Sequence, residues 1–193
     1  MSIRNRLIVI TAVLSAAIGA FTAFYIQHGL SSKNSAAEIA HPLIGTLRPD
    51  FSLYDLNDNS TSISIWDGRM VLINFWAAWC PPCRREIPVF NEVREFYSSH
   101  GFEVIGIAID EKDKVVDFLE SIPAVQYPQL IGFDDALKVA SAFGNRSGGL
   151  PYSVLLDKQG IIRYVKAGEL SQQTLMTQIE LMLKSDPQHI NNT

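Results

Sequence analysis

The chain has 193 residues, 47% apolar and 19% charged, with a formal net charge of −4. A mean hydropathy of +0.10 excludes both wholesale disorder and a polytopic membrane protein. With 16 basic against 20 acidic side chains, and no basic cluster larger than the pair Arg84–Arg85, a nucleic-acid footprint is absent.

The apolar excess has one source. Residues 7–26 are a run of 20 without a charge, and at about 1.5 Å per residue they match a hydrocarbon core of about 30 Å. Arg4 and Arg6 precede the run and the next basic residue is Lys33, which puts the N-terminus in the cytoplasm and the rest across the bilayer. The run is longer than a signal-peptide core, and no clear small-x-small cleavage site follows it at once. Residues 1–26 therefore read as a cytoplasmic stub and an uncleaved, single-pass inner-membrane anchor, with the remainder periplasmic. Residues 27–41 are polar and aperiodic and read as a flexible linker of about 20 Å.

Beyond the linker, residues 49–53 begin an extended stretch, Asn57-Asp58-Asn59 carries turn chemistry, and residues 61–65 alternate in polarity. Together they predict a β-hairpin. Asp67-Gly68 makes a second turn before the apolar run 70–76, which predicts a strand buried on both faces. Residues 81–99 predict a helix with Pro88 kinking it, ended by His100-Gly101. A second buried strand is expected over 102–109, a helix over 113–121 and a short strand over 128–131. A helix capped by Asp134 is expected over 134–143. After a glycine-rich loop, strands 152–156 and 161–166 are joined by the hairpin signal Asp157-Lys158-Gln159-Gly160. Residues 171–184 predict an amphipathic helix capped by Ser171, and 185–193 a disordered tail. The alternation predicts one α/β domain over 42–184, a mixed central sheet with helices on both faces.

The informative stretch is Phe75-Trp76-Ala77-Ala78-Trp79-Cys80-Pro81-Pro82-Cys83-Arg84-Arg85-Glu86. Cys80 falls at a helix N-terminus, where free N–H groups and the macrodipole favour a thiolate. Cys83 is one turn later, close enough to resolve a mixed disulfide at an exposed Cys80. Pro81 suits the first helical position. Neither Pro81 nor Pro82 offers an N–H to the Cys80 sulfur, so Cys83 supplies the nearest donors. Weaker stabilisation of the reduced form makes a better reductant. A zinc site would need ligands that the scattered His28, His41, His100 and His189 do not provide, and no metal is expected. A copper site shared with a client stays open.

These residues, with Pro88, the Gly149-Leu150-Pro151 loop and the strand pair ending near Lys166, resemble the TlpA-like branch of the thioredoxin superfamily, of ResA and CcmG/DsbE type. The resemblance covers about residues 42–184 and implies a thioredoxin-like fold with an N-terminal β-hairpin extension. It implies a membrane-anchored thiol–disulfide oxidoreductase with no cofactor beyond a redox-active Cys80–Cys83 disulfide. Cys80 would attack, Cys83 resolve, and Pro151 would be a cis-proline facing them. Leu150 would pair its backbone with a substrate strand, and Trp79, Pro81 and Pro82 would form the client-facing surface. Thioredoxin has a buried Asp where this chain has Asn74, and the resemblance assigns the acid/base role to Glu86. The implied partners are exported proteins with disulfides or cysteine pairs, apocytochrome c or copper-site proteins among them, and a DsbD/CcdA-type membrane electron donor. A redox-linked assembly chaperone and a disulfide oxidase or isomerase are the rival readings.

Overall fold

The computed structural model describes residues 41–185; the expected anchor, all of the expected linker but His41, and the expected tail beyond Ser185 lie outside the described residues. Among the described residues no helix is long and apolar enough to cross a membrane. The described residues form seven strands and four α-helices, in order. They are β1 (Ser52–Asp55), β2 (Ser60–Ser62), β3 (Met70–Trp76), α1 (Pro81–Tyr97), β4 (Phe102–Ala108) and α2 (Lys112–Glu120). After these come β5 (Gln129–Ile131), α3 (Phe133–Ala142), β6 (Tyr152–Leu156), β7 (Ile162–Ala167) and α4 (Gln172–Ser185).

The strands form a single sheet in the order β2-β1-β5-β4-β3-β6-β7. β3, β4 and β5 run parallel, and the remaining pairings are antiparallel. β3 and β4 are buried at every position, as their nearly continuous apolar runs require when both sheet faces are covered; Asn74 and Glu103 are the buried polar exceptions. One face carries α1, α2 and α4 through Ile87, Phe90, Val93, Val115, Phe118, Leu175 and Ile179. The other carries α3 through Ala136 and Ala140, with Ile63, Trp66 and Phe143. The N-terminal hairpin β1–β2 joins the edge of this sheet through β5.

Three local expectations shift. The second hairpin strand stops at Ser62, and Ile63–Trp66 is a 3-10 turn, because the Ser62 hydroxyl accepts the Ser64 N–H at 3.2 Å and caps it. Helix α3 begins at Phe133 with Gly132 as its cap, so Asp134 lies in the first turn with Asp135, where both carboxylates complement the helix dipole. α1 runs through Pro88 and ends at Tyr97; residues 98–100 form a 3-10 turn closed by Gly101 at φ 75°. Ser171 does cap α4, its hydroxyl accepting from the Thr174 N–H at 3.2 Å.

Candidate active site

β3 delivers the motif to the centre of the sheet's C-terminal edge, and the chain turns there into α1. Ile109 N–H donates to the Trp76 carbonyl at 2.8 Å, and Cys80 N–H to the Ala77 carbonyl at 3.1 Å. Asp110, buried just beyond β4, accepts the Ala78 N–H at 3.0 Å and the Glu111 N–H at 2.9 Å. Sequence reasoning missed Asp110. Its one signal is a carboxylate directly after a buried strand that pairs with the motif strand.

Cys80 is the N-cap of α1, and Pro81 and Pro82 fill the first helical positions, where no N–H is needed. Cys80 and Cys83 are joined as a disulfide, with Cα atoms 5.3 Å apart. As expected from the two prolines, the donor to the Cys80 sulfur is the Cys83 N–H, at 3.4 Å. The exposed nucleophile expected from the sequence is not found in this oxidised form. Cys80 is 2% exposed and Cys83 is fully buried, because both sulfurs join the apolar cluster of Trp76, Ala77 and Ile87, with Leu150 packed against it. Trp79 stands out at 64% exposure beside them, with Pro81 exposed and Pro82 half-buried. The Leu150–Pro151 peptide is cis; Leu150 is half-buried and Pro151 buried. Trp76 is fully buried, and its indole N–H donates to Gln129 Oε1 at 3.0 Å. The Gln129 side chain occupies space left by Gly106, whose Cβ would lie 2.2 Å from Gln129 Oε1.

Glu86 lies one turn beyond Cys83 and is buried on the same helix. Its Oε1 accepts the Leu170 N–H from the loop before α4, and Oε2 accepts from Asn74 Nδ2 at 3.4 Å. Asn74 Nδ2 also donates to Ser153 Oγ at 3.0 Å. Burial pushes the Glu86 carboxyl up to about 7 from an ordinary 4.5, against the hydrogen bonds from Leu170 and Asn74, which pull the other way. Burial likewise raises the phenol of Tyr127, to which the negative charge of Glu86 adds. Outside, Arg85 Nε reaches Glu169 Oε1 at 3.1 Å in an exposed ion pair, one residue along the chain from the Glu86–Leu170 contact on both sides. Arg84 stacks over Phe118, 4.7 Å from the ring centre. Leu170 and Ser153 carry no sequence signal, since a backbone N–H and a serine in a strand look ordinary until the fold aims them. Among the described residues no group of three or more metal-ligating side chains is assembled.

The family profile described as Redoxin matches residues 44–179. The chain belongs to the Redoxin family. Within this family its relatives include the thiol-disulfide oxidoreductase ResA of Halalkalibacterium halodurans, 31% identical over 173 residues, covering 90% of this chain and 91% of that one. ResA of Geobacillus kaustophilus is 28% identical over 180 residues, 93% of this chain and 98% of its own. Among solved structures, a thiol:disulfide interchange protein of DsbE type from Chlorobium tepidum superposes with a TM-score of 0.66 at 27% identity, over 72% of this chain and 97% of that one. This Redoxin-family chain is thus a thioredoxin-type thiol–disulfide oxidoreductase of the TlpA/ResA/CcmG kind, carrying its Cys80–Cys83 pair at the start of α1.

Proposed function

We propose that the protein is a periplasmic disulfide reductase, tethered to the inner membrane by residues 7–26 and working through the Cys-Pro-Pro-Cys dithiol. The observation that carries this reading is Glu86, a buried carboxyl held near neutrality one turn from Cys83. Such a group exchanges a proton with the resolving thiol at physiological pH.

In the reduced enzyme the Cys80 thiolate attacks one sulfur of a client disulfide. The client S–S bond breaks, a Cys80–client bond forms, and the first client thiolate leaves and takes a proton. Glu86 as carboxylate then accepts the Cys83 proton. The Cys83 thiolate attacks the Cys80 sulfur, the mixed disulfide breaks, and the second client sulfur departs as a thiolate that takes up a proton as Glu86 gives up the one it received. Two electrons have passed to the client, and the Cys80–Cys83 disulfide is left. A DsbD/CcdA-type membrane donor would return the electrons. Pro151 and the Leu150 backbone would dock the client strand, with Trp79, Pro81 and Pro82 as the surface it meets. Apocytochrome c or a copper-site protein are the proposed clients.

The test is trapping with Cys83→Ser in cells. Stable mixed disulfides at Cys80 with apocytochrome c support a maturation role, and with copper-site proteins an assembly role. A measured potential near −120 mV instead of near the −270 mV of thioredoxin would make the protein an oxidase and overturn the reading.

A further inference from the structure

The hydrogen bonds around Glu86 leave one group unserved. Asn74 is fully buried in β3. Its Nδ2 serves both Glu86 Oε2 and Ser153 Oγ, whereas its Oδ1 is buried without a hydrogen-bond partner among the described residues. An unpaired buried acceptor costs about 1–3 kcal/mol. This arrangement suits only the ionised form of Glu86. Protonated, Glu86 still accepts from Leu170 at Oε1, but a proton on Oε2 meets an N–H donor. Turning the carboxamide over exchanges Oδ1 for Nδ2. Oδ1 then accepts from the Glu86 O–H and from the Ser153 hydroxyl, and Nδ2 becomes the group left over. Each orientation orphans one Asn74 atom, so neither is strongly preferred until Glu86 chooses.

We propose that Asn74 is a positioning residue with two working orientations, donating to the Glu86 carboxylate in one and accepting from the Glu86 carboxylic acid in the other. The proposal rests on the reading of Glu86 as the proton carrier. No bond other than a hydrogen bond is made or broken, and the proton on Glu86 is the one exchanged with Cys83. The other charged or titratable groups around Glu86 are Arg85 and Cys83 on α1, Glu169 from the loop before α4, and Tyr127 before β5. An aspartate in place of Asn74 would titrate in competition with Glu86, and a leucine would serve neither form. A carboxamide pairs with both and keeps its own charge at zero.

The test uses the full chain in detergent micelles, oxidised, with asparagine labelled with ¹³C and ¹⁵N. The Asn74 side-chain resonances are expected to titrate with the same midpoint as the Glu86 carboxyl carbon, and to become independent of pH in Glu86→Gln. Asn74 resonances that stay flat while Glu86 titrates would overturn the proposal and leave the proposed function standing. In the reduced enzyme, Asn74→Leu removes a hydrogen-bond partner from both forms of Glu86, so the pH midpoint of client release is expected to move by less than about 1 pH unit. A midpoint raised by more than that in a folded variant, as loss of a donor serving the carboxylate alone would give, would also overturn it. If Glu86→Gln itself leaves the pH profile unchanged, the reading of Glu86 fails first.

Discussion

Glu86→Gln in the oxidised protein should stabilise the fold at high pH relative to the native chain. The Glu86 carboxyl stands at about 7 in the folded state against an ordinary 4.5. Between those values the folded state holds a proton that the unfolded state has released, so stability falls as pH rises. Below 4.5 both states are protonated and the carboxyl costs nothing. Above about 7 the full penalty for ionising a buried group is present. At 1.36 kcal/mol per pH unit, the displacement corresponds to about 3 kcal/mol. Glutamine keeps the carbonyl oxygen that accepts the Leu170 N–H and removes the titration. The assay is equilibrium denaturation of both proteins between pH 4 and 8.5, with the disulfide intact so that neither thiol titrates. The difference in unfolding free energy should drift in favour of the variant by about 3 kcal/mol, with the drift complete slightly above neutrality. Parallel stability curves would refute the reasoning, because every other titrating group is common to both chains.

Two further outcomes follow from the same geometry. Gly106→Ala places a methyl within 2.2 Å of Gln129 Oε1, displacing the amide that holds the Trp76 indole; a loss of about 1–3 kcal/mol is expected by thermal or chemical denaturation. Trp79→Ala removes an indole that is 64% exposed, so stability should change by less than about 0.5 kcal/mol, while the rate of exchange with a protein disulfide falls and that with a small aromatic disulfide does not.

Much of the framework was legible because period and burial agree. The runs Met70–Trp76 and Phe102–Ala108 are apolar apart from Asn74 in the first and Glu103 and Gly106 in the second, and lie at the sheet centre. Pro81 and Pro82 beside Cys80 mark the helix start without ambiguity. Ser60–Ser62 was harder, since a hydroxyl that caps the next turn also fits a strand. Around the site the limit was range. Glu86 meets Leu170 across 84 residues and Asn74 meets Ser153 across 79, and no local pattern records such pairings. The exposure of Cys80 failed for a related reason: a position at a helix start predicts access, but the covering groups Trp76, Ala77 and Leu150 come from the motif strand, its turn and a distant loop.

The burial of both sulfurs bears on selectivity. A small thiol in solution finds almost no sulfur surface to strike at Cys80, which is only 2% exposed. A client protein docking an extended segment at Leu150–Pro151 and Trp79, as proposed above, would bring contact area that a small thiol lacks. Burial of that kind would slow reduction by free thiols relative to reduction by a protein that binds first, so the choice of partner can be made by rate.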